Sequence, residues 1–256
     1  MFDVRHDDID LFIRDAKKGT KQRLIYAAPQ ELGDDEELEA EKFLSFINKL
    51  NYQIPDEYWT NDRLLMRLLA AEKYDHAKAL HHMIEHSLWV RETYPVSYDQ
   101  IGDILKSGFL YVSGRDYKYR PVLILNVRKI VDVEYPIEVI NASTAFFCEF
   151  IVKKLLIAGI VENWIMIIDL NDVGVTSLPV KKVQAIVGMT QKHFGGRLYR
   201  QFCINMGFMM RKSSSIFLNF VDDITQQKIS VHNDKTYKPE LQKLIPASCI
   251  EKKYGG

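Results

Sequence analysis

The chain of 256 residues is 47% apolar and 27% charged, enough to fill a large core and too apolar for a disordered segment. Its 34 basic residues balance 34 acidic ones, so bulk charge gives no case for a nucleic-acid-binding protein. Three widely spaced cysteines, Cys148, Cys203 and Cys249, argue against a disulfide framework or a thiolate metal centre and point to a reducing compartment.

The opening segment, MFDVRHDDIDLFIRD, alternates acids with apolar residues and lacks the apolar run of a secretory signal. No run of 18 apolar residues occurs anywhere, so the expectation is a cytoplasmic protein whose membrane contact is peripheral. Up to about residue 94 the pattern predicts helices, with turns at Gly19, at residues 32–35 and at Pro55. DEELEAEKFLSFINKL places acids early and lysines late, as the helix macrodipole favours, and its stripe is Phe43, Phe46, Ile47 and Leu50. Two further helices form an L-shaped pair, the first capped by Thr60 or Asn61 and the second by Asp75 after a break at Lys73 and Tyr74.

From about residue 96 strands and helices alternate. RPVLILNV (120–127) and NWIMIIDL (163–170) are short, nearly continuous apolar runs, the mark of central strands covered on both faces. FLYVSGRD, RQFCIN and QKISVH are additional strand candidates. PIEVINASTAFFCEFIVKKLLIAG and PVKKVQAIVGMTQKHF are predicted helices, with Pro179 near the first turn of the second and Gly195 and Gly196 ending it. This alternation predicts βαβ crossovers, an α/β class and a mostly parallel sheet.

Candidate chemistry is sparse. His82, Glu85 and His86 spell H-x-x-E-H, a spacing that sets two imidazoles on one helix face as in some zinc peptidases; a solvated flank that includes His81 explains the same letters. No G-x-S-x-G, no Walker-type loop and no G-x-G-x-x-G after a strand is present. Asp169 ends a strand where α/β enzymes keep catalytic carboxylates, but the favoured reading is a cap on the following loop, NDVGVT. Neither His193 nor His232 has an obvious partner in sequence. The stretch GFMMRKSSSIFLNFVDD (207–223) reads as a greasy helix: Met209, Met210, Ile216, Phe217, Phe220 and Val221 fall mostly on one flank, with Arg211 and Lys212 on another. Such a helix is either core or a lid over an apolar ligand.

From about residue 58 onward the chain resembles the Sec14-like, or CRAL-TRIO, lipid-binding family. The resemblance rests on the ordered series NDRLLMRLLAAEKYDHAKALHHM, GRDYKYRPVLILNV, IMIIDLNDVGVTSL and GRLYRQFCIN, then the greasy helix and the closing residues to the terminal Gly-Gly. It implies a helical N-terminal subdomain and an α/β lobe whose sheet floors an apolar cavity closed by a gate helix over residues 208–221. The implied division is an extension over 1–57, a CRAL-TRIO N-terminal helical region over 58–95 and the lipid-binding domain over 96–256. Implied lining residues are Leu123, Leu125, Trp164, Met166, Ile168, Phe208, Phe217 and Phe220; the gate adds Met209, Met210, Arg211, Ile216 and Val221; Thr225 and Lys228 are the headgroup candidates.

Two departures bear on the ligand. Gly196, before Arg197, stands where phosphoinositide-binding members keep a Glu, so Lys228 has only half of that signature and a solvated role explains it equally well. Trp164, Met166 and Leu123 stand where phosphatidylcholine-binding members use hydroxyl side chains, which fits a compact sterol, tocopherol-like or isoprenoid ligand better. The expected protein binds one phospholipid or other hydrophobic small molecule and transfers it between membranes, with transient peripheral membrane contact. No catalysis, metal, nucleic acid or cofactor beyond the bound lipid is expected. The rivals are a lipid-regulated adaptor docking to a signalling partner and a metallohydrolase built on His82, Glu85 and His86.

Overall fold

The computed structural model describes residues 11–14, 21–59, 64–209 and 223–256. The chain divides into two units, Met1–Tyr94 with Ile157–Glu162, and Pro95–Leu156 with Asn163–Gly256.

The first unit departs from an all-helical reading at its start. Strands β1 (Phe12–Arg14) and β2 (Lys21–Arg23) pair antiparallel, with Phe12 opposite Arg23. Lys21 Nζ and the Arg23 guanidinium lie 4.4 and 4.7 Å from the centre of the Phe12 ring, an attraction between cation and π-face that fastens this pair. Helix α1 (Asp34–Lys49) carries four acids in its first turn and Lys49 in its last. Glu36 reaches back to accept from Gly33 N at 2.9 Å, satisfying an amide at the helix start. Phe43 and Ile47 of the predicted stripe are buried, but Leu50 is 53% exposed because the chain turns away there, with Asn51 at φ 51°. Past a 3-10 turn at Asp56–Trp59 come α2 (Leu64–Ala71) and α3 (His76–Thr93). Lys73 and Tyr74 take positive φ, ending α2, and Asp75 caps α3 by accepting from Lys78 N at 3.1 Å. The Thr60 and Asn61 caps lie outside the described residues. Tyr26, Phe43, Leu69, Ala79 and Met83 form the centre of this unit's core.

One carboxylate organises much of that unit. Glu162, with its side chain 1% exposed, accepts from Tyr26 N at 2.9 Å and from Ala27 N and Gly159 N at 2.8 Å each. It also pairs with the buried Arg67, whose guanidinium rests 4.5 Å from the Tyr26 ring centre. A buried carboxylate is tolerable only when so satisfied.

The second unit begins with α4 (Tyr98–Lys106), β3 (Leu110–Arg115), β4 (Pro121–Asn126), α5 (Arg128–Asp132) and α6 (Ile137–Lys154). It continues through β5 (Trp164–Asp169), α7 (Val180–His193), β6 (Leu198–Ile204), α8 (Asp223–Lys228), β7 (Ile229–Val231) and α9 (Tyr237–Gln242). Five strands form one sheet in the order β3-β4-β5-β6-β7, with β3 antiparallel to β4 and the rest parallel. The two predicted central strands are β4 and β5, and β4 is buried from Pro121 to Leu125. Alternation sorts the sheet's side chains onto two faces. Val122, Ile124, Ile165, Ile167, Phe202 and Ile204 pack under Tyr237, Leu241, Ile245, Ile250 and Tyr254 of the closing segment. The opposite face meets α4, α5 and α6 through Ile101, Ile130, Ile140, Cys148 and Ile151.

Replacing Glu162 by Ala should lower unfolding stability by about 3–5 kcal/mol, since Arg67 and three amides lose their acceptor. Lys42→Ala, which breaks the exposed pair with Glu39, should leave the unfolding midpoint nearly unchanged. Urea denaturation followed by circular dichroism compares the two; equal effects would deny the carboxylate its organising role.

Candidate functional site

Register fixes what the helix-covered face of the sheet presents. Leu123 of β4 pairs with Met166 of β5, Met166 with Gln201 of β6, and Gln201 with Ile229 of β7. A second row runs Leu125, Ile168, Cys203 and Val231. Paired residues point to the same side of a sheet, so eight side chains make one nearly continuous apolar surface, interrupted by Gln201. A bulge at Tyr199, between Leu198 opposite Trp164 and Arg200 opposite Ile165, brings Gln201 and Cys203 to this side.

Cover over this surface is uneven. Leu123 and Trp164 are core residues beneath α6, packed with Cys148 and Ile151, and Leu125 is buried in the neighbouring cluster. Met166, Ile168, Ile229 and Val231 are only partly buried. Hydroxyls facing the sheet from α6 are turned into their own helix: Ser143 Oγ donates to Val139 O at 2.6 Å and Thr144 Oγ1 to Ile140 O at 2.8 Å. Burial pushes the Cys203 thiol up to about 11 and the Cys148 thiol up to about 12, so both remain neutral and behave as small apolar groups. Chemically, the surface offers dispersion and hydrophobic contact.

Lys228 ends α8 immediately before Ile229, and it is 3% exposed, so the solvated role does not hold. Thr225 lies one turn earlier on the same helix. Arg197 is also buried, and its carbonyl accepts from Trp164 N at 2.8 Å. Gly196, at φ 74°, accepts from Asn163 Nδ2 at 2.7 Å, joining the starts of β5 and β6. Phe208 and Met209, expected in the lining and gate, are exposed. Met210, Arg211, Ile216, Phe217, Phe220 and Val221 lie outside the described residues.

Asp169 does cap its loop, with Oδ1 accepting from Asn171 N at 3.0 Å, and it does more. The same oxygen accepts from Asn205 Nδ2 at 2.8 Å, and Oδ2 accepts from the Tyr254 hydroxyl at 2.7 Å. The carboxylate thus ties three segments together across the sheet face opposite Met166. Burial and this bond to Asp169 hold the Tyr254 hydroxyl well above the ordinary tyrosine range. His232 works through its main chain, donating from N to Cys203 O at 2.8 Å and accepting from Met206 N at 3.1 Å.

The H-x-x-E-H letters serve separate roles. His82 Nδ1 lies 2.8 Å from Glu72 Oε1, and the exposed His81 faces Glu85 at 3.5 Å. His86 stacks on Trp89 at 5.8 Å between ring centres and meets Tyr58 edge-on at 6.3 Å, and burial lowers its pKa to about 4. Among the described residues no three metal-ligating side chains gather in a metal-binding group. Gln201, Cys203, Ile229 and Val231 are the surface members that sequence reasoning misses, since the signal needed is the register of β6 and β7.

The fold is that of an α/β protein built around a five-stranded, mostly parallel sheet. A solved structure described as "Crystal structure of Sfh5" superposes with a TM-score of 0.63 at 17% identity, over 84% of this chain and 85% of that one. Residues 105–256 match the CRAL/TRIO domain family, more than half of the sequence. The Sec14 cytosolic factor of Schizosaccharomyces pombe is 24% identical over 216 residues, 77% of this chain and 74% of that protein. The SEC14 cytosolic factor of Kluyveromyces lactis is 23% identical over 251 residues, 91% and 81% of the two chains. The chain belongs to the CRAL/TRIO family, a family of lipid-binding and lipid-transfer proteins rather than enzymes. No helix among the described residues is long and apolar enough to cross a membrane.

His86 makes the first unit sensitive to acid. Its folded pKa, about 4, lies below its ordinary value of 6.5, so the unfolded chain binds the extra proton first. Stability should therefore fall as pH drops from about 6.5 toward about 4, and His86→Phe should flatten that decline. Urea midpoints measured across this range check it; parallel curves for the two proteins would contradict the assignment.

Proposed function

We propose that this protein holds one hydrophobic molecule against the Met166 and Ile168 side of its sheet and carries it between membranes without catalysis. The observation that supports this reading is the pair of apolar rows across β4 to β7, buried on β4 and only partly covered on β5 and β7. Apolar surface left partly open in a protein of this size commonly serves a ligand. The hydrophobic ledger explains why a carrier is needed: each methylene withheld from water is worth about 0.8 kcal/mol, so two ordinary acyl chains would cost on the order of 20 kcal/mol to expose.

In this reading Leu123, Leu125 and Trp164 form the rigid floor, and Met166 and Ile168 touch the guest. Residues 208–221 are the proposed lid, with Phe217 and Phe220 as candidate ligand contacts. Met166 and Ile168, the partly covered members of β5, offer no hydroxyl, which favours a compact ring or isoprenoid ligand over phosphatidylcholine. Thr225 and Lys228 form the polar end, where a hydroxyl or phosphate oxygen gains a charge-assisted hydrogen bond. Residence in the cytoplasm, with brief visits to membranes, fits the cytosolic-factor names of the two relatives.

Native mass spectrometry of the purified protein should reveal a bound lipid, and a clean protein that moves no lipid between vesicles would end this reading. Met166→Asp should cut transfer at least about tenfold, because a carboxylate facing the ligand must be desolvated. Lys228→Met should weaken uptake of phosphatidylinositol about tenfold and leave sterol uptake unchanged. Equal losses for both ligands would make Lys228 a structural residue only.

A further inference from the structure

Of the eight side chains in the two rows on the Met166 side, Gln201 alone carries an amide. It stands between Met166 of β5 and Ile229 of β7 and is only partly buried. Its place there follows from the bulge at Tyr199: without the extra residue the alternation would send Gln201 to the sealed face and Phe202 to this one. Bulges recur beside functional sites, where they re-aim a side chain. A primary amide has two hydrogens to donate and a carbonyl oxygen to accept. Among the described residues the Gln201 side chain makes one hydrogen bond, from Nε2 to Cys203 Sγ at 3.6 Å, and a thiol sulfur is a weak acceptor. One hydrogen and the oxygen of the amide remain for a partner from outside the sheet.

We infer that Gln201 selects the guest: it favours a hydrophobic molecule that bears a neutral hydroxyl over the same skeleton without one. This rests on the carrier reading above and adds the polar group that the guest must bring. A guest laid across the row takes water from the amide. A pure hydrocarbon gives nothing back, and the desolvated amide is left with sulfur alone. A hydroxyl donates to Oε1 and accepts from Nε2, so one group on the guest meets both needs. A carboxylate only accepts, which turns Oε1 toward a negative charge. The Ser143 and Thr144 hydroxyls of α6 are spent on their own helix and do not compete. Discrimination of this kind comes from the polar group that the wrong guest leaves unpaired. Register also sets Gln201 opposite Ile229, the residue after Lys228, so neutral and charged recognition lie at neighbouring positions on β6 and β7.

Uptake of two matched sterols from phosphatidylcholine vesicles by the full chain tests this: cholesterol, and cholestene, the same skeleton without its hydroxyl. The ratio of cholesterol to cholestene uptake should be at least about fivefold higher for the unaltered chain than for Gln201→Leu or Gln201→Met. Both substitutions extend the apolar row, so melting temperature should stay at or above that of the unaltered chain, and cholestene uptake should rise as cholesterol uptake falls. An unchanged ratio overturns the inference, and an equal loss of both sterols overturns it by making Gln201 a structural residue only. An unaltered chain that takes up cholestene as readily as cholesterol overturns it without any variant. Uptake of neither sterol overturns it as well: a lipid found by native mass spectrometry then leaves the carrier reading standing, whereas a clean protein that transfers nothing ends both.

Discussion

Side-chain alternation along the parallel strands is the constraint on which the second unit depends. A parallel sheet must be covered on both faces, yet the two covers here are built differently. One is the closing segment, in which Tyr237, Leu241, Ile245, Ile250 and Tyr254 lie over six buried strand residues. The other is α6 with its neighbours, which seals β4 and leaves β5 and β7 partly open. That asymmetry sets a sealed face against one whose β5 and β7 side chains are only partly buried.

Asp169 shows how the sealed side is held. Its position at the end of a central strand matches that of many catalytic carboxylates, but its oxygens are engaged by Asn171, Asn205 and Tyr254. Those bonds draw the turn after β5, the turn after β6 and the C-terminal tail to one point. The same position that serves chemistry in α/β enzymes here serves closure, in keeping with a protein whose open face is apolar.

Much of this architecture is legible in the sequence where the signal is local. The runs of Val and Ile in 120–127 and 163–170 announce β4 and β5, and Asp75 marks its helix start because a cap acts within three residues. What escapes has long-range or sub-threshold causes. Strands β1 and β2 are three residues each, too short to show a period. Glu162 finds Arg67 and Tyr26 at 95 and 136 residues' separation, which no window along the chain detects. The surface members on β6 escape for a sharper reason: one extra residue at Tyr199 shifts the alternation, so strict period two would turn Phe202 toward the Met166 side and Cys203 away.

The short segment Ile157–Glu162 leaves the second unit after α6 and returns to it at Asn163, having contributed the central carboxylate of the first unit. The boundary between the units is therefore crossed three times by the chain, and no single scission separates them. A fragment beginning at Pro95 would retain Glu162 while losing Arg67 and the amides of Tyr26 and Ala27, stranding an anion evolved for enclosure. Dissection of this protein into independent pieces would need a redesigned connection between Leu156 and Asn163.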